Sequence, residues 1–213
     1  MLVHTPAIVL HTTRVNDKTV VLHLYTREFG RMECYVYGGS RKGRGALFTP
    51  LSLIDAVADR NPLKEVHTLK DFSLRHTTSD ISSDIRRITV AIFIAEVLYR
   101  TLTLPESDAV MFDFIEKIIL TLNNGNGVEN LHLMFLVEYI SLLGFAPDRN
   151  TPANAALFPC LSLTDRCSNG QRTPFVDRPA RQAMLDTIMV YYTEHLPGFV
   201  KPKSLDVLKQ VFD

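Results

Sequence analysis

Apolar and polar positions alternate with a period of two along the first third of the chain, then switch to a 3,4 spacing that persists to the end. In Arg31–Tyr37, Met32, Cys34 and Val36 point one way and Glu33, Tyr35 and Tyr37 the other, the pattern of a half-buried strand. The same reading predicts strands over Ala7–Thr13, Thr19–Thr26, Leu51–Ala58 and Glu65–Leu74. Turn formers separate them: Asn16-Asp17, Glu28-Phe29-Gly30 with Gly30 able to take positive φ, and Asn61-Pro62. Five short strands with turns between them predict a small closed or nearly closed barrel. OB-type and SH3-like barrels give the same string, and the pattern alone does not separate them.

From Ser82 the helical period takes over. Ser83-Asp84 caps a helix running to about Thr101, with Ile85, Ile88, Ile92, Ala95 and Leu98 on one face. Ser107-Asp108 caps a second, to about Leu122, and Asn123–Gly127 breaks the chain. A third helix, Val128–Leu143, is apolar on most sides, which predicts central burial, and stops at Gly144. Ala146–Arg178 has four prolines and no period, so it reads as irregular. Helices over Arg181–His195 and Ser204–Phe212 complete the chain.

Charge refines this picture at one place. The 213 residues carry 23 Lys and Arg against 23 Asp and Glu, but Met1–Asp80 holds 11 basic and 8 acidic residues and the remainder 12 and 15. No acidic residue lies between Glu33 and Asp55, and Arg41, Lys42 and Arg44 are interleaved with Gly43 and Gly45. An uncompensated cationic loop beside an aromatic-bearing strand suits a polyanion whose bases can stack. It suits equally a solvated hairpin kept soluble by its charges.

Enzymatic signatures are not found. Gly38–Lys42 lacks the phosphate-loop spacing, and neither G-x-S-x-G nor H-E-x-x-H occurs. His11 and His23 can face each other across the first hairpin, which reads as an ordinary cross-strand pair. Asp80 and Asp84 fall at a helix start, where carboxylates cap amides. Cys34 alternates with apolar neighbours and reads as a core residue, while Cys160 and Cys167 lack the paired C-x-x-C knuckles of zinc sites. Three dispersed cysteines, with neither a leader-like start nor an apolar run of membrane-spanning length, point to a reducing cytoplasm and to no cofactor.

The order of several motifs resembles the bacterial RecO family of recombination mediators. AIVLHTTRVNDKTVVLHLYTREFGRMECYVYGGSR is similar to that family's first three strands, including a Thr-x-x-x-Gly turn at Thr26–Gly30. Leu47-Phe48-Thr49-Pro50-Leu51 resembles the entry to its fourth strand, Leu142-Leu143-Gly144-Phe145 the L-L-G-Y/F that ends a central helix, and KPKSLDVLKQVFD its ending. Many members hold zinc through four cysteines in two knuckles; this chain keeps only Cys160 and Cys167 there, so zinc does not carry over.

The resemblance implies an α+β protein with an N-terminal five-stranded OB-type barrel (1–80) followed by an all-helical domain (81–213) with an irregular segment at about 146–178. It implies a non-enzymatic, cytoplasmic and nucleoid-associated DNA repair protein. Such a protein binds single- and double-stranded DNA, anneals complementary strands, and works with RecR to load recombinase onto strands covered by single-stranded DNA-binding protein. Candidate DNA contacts are Arg41, Lys42 and Arg44, then Arg14, Lys18 and Arg31 at the hairpin turns, Lys201 and Lys203 in the tail, and Tyr35 and Tyr37 as stacking platforms. The tyrosines would equally pack on the helical domain. The competing function is a protein–protein adaptor whose helical half binds partner peptides.

Overall fold

The computed structural model describes residues 1–37, 48–61, 63–76, 79–125, 128–168 and 176–212. Five strands, β1 (Leu2–Arg14), β2 (Thr19–Thr26), β3 (Gly30–Tyr37), β4 (Leu53–Asp59) and β5 (Val66–Leu74), close a barrel in the order β1-β2-β3-β5-β4. All neighbours are antiparallel except β3 and β5, which run parallel through Glu33↔Val66 and Tyr35↔Thr68. That order is OB-type, which settles the choice the alternation left open. Inward side chains Val9, Leu22, Leu24, Met32, Cys34, Ile54 and Leu69 fill the barrel.

β1 begins five residues earlier than its alternation predicts. Pro6 stands just past the end of the β1–β2 ladder, where β2 ends opposite Ala7, and its carbonyl still accepts from the Arg27 N–H at 3.0 Å. Ile8 and Leu10 alternate outward from Ala7 and Val9, into a second and larger core shared with the helices, and the β1–β2 ladder is bulged between Val9 and His11. Leu51 is a connecting residue rather than the start of β4. It adopts φ 64, donates its N–H to the Val9 carbonyl at 2.7 Å, and is fully buried in that same core.

Among the described residues seven helices follow: α1 (Ser79–Ser83), α2 (Ile85–Thr101), α3 (Ala109–Asn124), α4 (Leu131–Leu142), α5 (Phe158–Ser168), α6 (Arg178–His195) and α7 (Ser204–Val211). The expected caps are in place. Asp84 accepts from the Arg86 N–H and Asp108 from the Met111 N–H; Asp177 does the same for Ala180 and starts α6 three residues early. α4 is the central helix, with Phe135, Leu136, Tyr139 and Ile140 wholly buried. The segment read as irregular holds a 3-10 turn (Pro152–Leu157) and α5. Pro152 and Pro159 hid these elements, yet both stand at helix starts, where a missing N–H is tolerated. The guanidinium of Arg87 caps the far end of α3, donating to the carbonyls of Leu122, Asn123 and Gly125. Among the described residues no helix is long and apolar enough to cross a membrane.

Candidate nucleic-acid interface

The outer face of β2 and β3 is divided in two. Outward pairs run in register as Tyr25↔Arg31, His23↔Glu33, Val21↔Tyr35 and Thr19↔Tyr37. The helices cover the first two pairs. Tyr25 lies in the helical core, stacked on Phe112 at 6.3 Å between ring centroids, and burial beside Asp108 lifts its phenol to about 12. Arg31 lies 4.6 Å above the Tyr99 ring and donates to the carbonyls of Tyr99 and Leu102. His11 and His23 pack on the same ring at 4.8 and 5.1 Å. Burial, then the neighbouring His23 and Arg31, push the His11 pKa below its ordinary value. Around this ring the barrel docks on the helices, joined by the bidentate pair of Arg27 with Asp113. Tyr99 carries almost no signal in the sequence beyond its place seven residues after Ile92 on the α2 stripe.

In the other two pairs Val21 is buried, Thr19 and Tyr35 are half-buried and Tyr37 is exposed. Tyr35 and Tyr37 stack on each other, centroids 6.2 Å apart and planes 24° from parallel, and Tyr37 is 62% exposed. Neither ring belongs to the barrel core or the helical core.

The barrel end beyond these rings carries the β1–β2 turn. Arg14 pairs with Asp17 at 2.6 Å on open surface, a weakly held pair, and Lys18 is exposed with its backbone N–H on the Asn16 side chain. Arg41, Lys42 and Arg44 lie outside the described residues. The residues flanking their loop do not: Tyr37 pairs with Thr19, and the Phe48 carbonyl accepts from the Thr12 hydroxyl. Both flanks therefore stand at the end that presents Arg14 and Lys18.

Three candidates are placed elsewhere. Arg31 is corrected: its side chain is only 11% exposed and held by Tyr99, Leu102 and Glu33, so it joins the two halves and is left out of the proposed interface. Lys201 and Lys203 are exposed on the connection from α6 to α7, away from the tyrosines in sequence but docked on α2, where the Lys203 N–H donates to Glu96.

Cys34 and Cys160 are both buried, and burial lifts each thiol to about 12. The side chain of Cys167 lies outside the described residues. Among the described residues, no three His, Cys, Asp or Glu side chains converge as metal ligands.

Two family models match the chain, recombination protein O N terminal over residues 1–77 and recombination protein O C terminal over 82–155. The DNA repair protein RecO of Porphyromonas gingivalis is 31% identical, with 100% of both chains covered. This chain belongs to the RecO family. Other RecO proteins align over 100% of both chains as well, that of Phocaeicola vulgatus at 30% identity and that of Flavobacterium psychrophilum at 27%. Membership makes it a RecO-family DNA repair protein. The Thr26–Gly30 turn is where the barrel meets the linker between α2 and α3.

Proposed function

We propose that this protein binds single- and double-stranded DNA through Arg14 and Lys18 at the barrel end together with Arg41, Lys42 and Arg44 of the segment that follows β3. On that surface it anneals complementary strands, and with RecR it helps load recombinase onto DNA covered by single-stranded DNA-binding protein. The observation that carries the reading is the stacked Tyr35–Tyr37 pair with its exposed Tyr37 ring. It stands on the β2–β3 face by which OB folds hold oligonucleotides, next to the turn that bears two cations. Annealing breaks no covalent bond. It requires two phosphate chains to be brought together with their repulsion screened, so cations and stacking faces suffice and no catalytic group enters. Lys201 and Lys203 add two exposed cations on the connection from α6 to α7, apart from the barrel end.

The test is fluorescence-detected annealing of complementary oligonucleotides by the full chain across a salt series. Annealing should fall steeply as salt rises, and Tyr37→Leu should weaken single-strand binding about tenfold, the worth of one base stack. Annealing indifferent to salt, or Tyr37→Leu binding like the parent, would remove this face from the mechanism and favour the adaptor reading.

A further inference from the structure

On the helical half, far in sequence from the barrel, three elements converge on a small recess. α4 supplies His132, α6 supplies Arg178 and Arg181, and the α7 end of the chain supplies Leu208, Lys209 and Phe212. His132 is 1% exposed, and its Nδ1 has no hydrogen-bond partner among the described residues. An orphaned buried imidazole nitrogen is costly in an ordinary core. Here the ring lines the recess, stacked under Phe212 at 5.9 Å with the edge of Phe93 at 6.3 Å.

Among the described residues, the charged side chains in the lining are the cations Arg178, Arg181 and Lys209. Arg181 lies 5.7 Å from the centre of the Phe212 ring, and its described hydrogen bonds go to neutral acceptors, the Asn130 side-chain oxygen and the Val176 carbonyl. Burial lowers its pKa; Glu129 and Asp177 nearby oppose the shift, and Arg86 adds to it. Lys209 reaches Asp186 at 2.5 Å on the outer side. The enclosed space is about 10 Å³, room for a single oxygen-sized atom, beneath a wider mouth.

We propose that this recess binds a phosphate group, one oxygen seated against the His132 Nδ1–H and the others held at the mouth by Arg181, Arg178 and Lys209. A tetrahedral oxyanion offers enough acceptors for donors arriving from three helices, whereas a planar carboxylate offers two oxygens in one plane. The enclosed space admits one oxygen and no carbon skeleton. The phosphate is either free or part of a nucleic-acid strand. In the latter case the helical half holds a second strand, apart from the barrel.

Imidazole NMR of the full-length protein tests the proposal, with the His132 signal assigned by His132→Asn. Without ligand, burial and then Arg181 hold this ring neutral down to about pH 3. Inorganic phosphate and a 5′-phosphorylated dinucleotide should each shift the signal saturably and raise the pH at which the ring protonates. The dinucleotide binding more tightly than inorganic phosphate identifies a nucleic-acid phosphate; equal binding identifies free phosphate. Arg181→Gln should weaken binding at least tenfold, and Lys209→Gln, a change on the surface that leaves the core intact, several-fold. A His132 signal unmoved by both probes overturns the site. So does an aspartate-rich peptide that binds more tightly than either, since it makes the recess a carboxylate site. The barrel variants leave this readout unchanged, so failure here and failure of the barrel reading are separate results.

Discussion

Gly30→Ala should destabilise the protein by about 3 kcal/mol, a loss of roughly 6–12 °C in melting temperature. Two independent effects add at this position. Gly30 sits at φ +61, a conformation a side-chain-bearing residue adopts at a cost of about 1 kcal/mol. A methyl group there would also stand 2.1 Å from the Glu106 carbonyl oxygen and 2.6 Å from the Glu106 nitrogen, backbone atoms with no rotamer to yield. The linker they belong to is tied to the barrel by the Arg31 N–H on the Leu104 carbonyl at 3.2 Å, so relief requires the barrel and helices to part. Gly144→Ala is the control: φ is +88, but among the described residues nothing lies within 4 Å, so only the conformational cost of about 1 kcal/mol applies. Chemical denaturation of both variants separates the two contributions. Equal losses would mean the junction yields without cost.

The second large effect is expected at Glu96. Its carboxylate accepts from the N–H groups of Lys203 and Ser204, the Ser204 hydroxyl, and Arg100, fastening α7 to α2. Burial opposes its charge, but these donors outweigh burial and hold the pKa down at about 2. Glu96→Ala leaves the donors at the start of α7 without their anion, at a cost of about 2–3 kcal/mol. The loss is local: Leu205 and Leu208 leave the core, and amide exchange in α7 should accelerate while the barrel amides keep their protection. The pH dependence has a definite sign. A carboxylate depressed in the folded state stabilises above its ordinary pKa of 4.5, and the contribution disappears as pH falls from there to about 2. α7 should therefore loosen in that window in the parent and show no such transition in the variant. Protection in α7 unchanged by the substitution would contradict the clasp.

Most of the barrel was legible because alternation reports directly on which side of a strand is buried, and Met32, Cys34 and Val36 do line the interior. The caps Asp84 and Asp108 were legible because capping is local chemistry. What escaped the sequence depends on partners distant along the chain. Arg31 looked like a surface cation because its spacing says nothing of Tyr99, 68 residues on, whose carbonyl and ring hold it. Leu51 continued the apparent alternation of β4, and only its place between two cores explains the turn it makes instead. α5 was lost because Pro159, with Pro152 just before the helix, outweighed its apolar positions in a local reading. At the interface, the opposite orientation of Tyr35 and Tyr37 to Cys34 was legible. That they stand beyond the edge of the helical half was not, since it depends on where α2 comes to rest.

If the barrel end draws nucleic-acid phosphates by charge, the dependence of binding on salt must report it. The decisive quantity is the slope of log affinity for a single-stranded oligonucleotide against log salt, taken for the parent and for the triple variant Arg41→Gln, Lys42→Gln, Arg44→Gln. The variant should bind more weakly, with a slope flatter by about two to three, one unit or slightly less for each phosphate that is no longer neutralised. Weaker binding with an unaltered slope, or no change in either, would contradict an electrostatic interface at this end of the barrel.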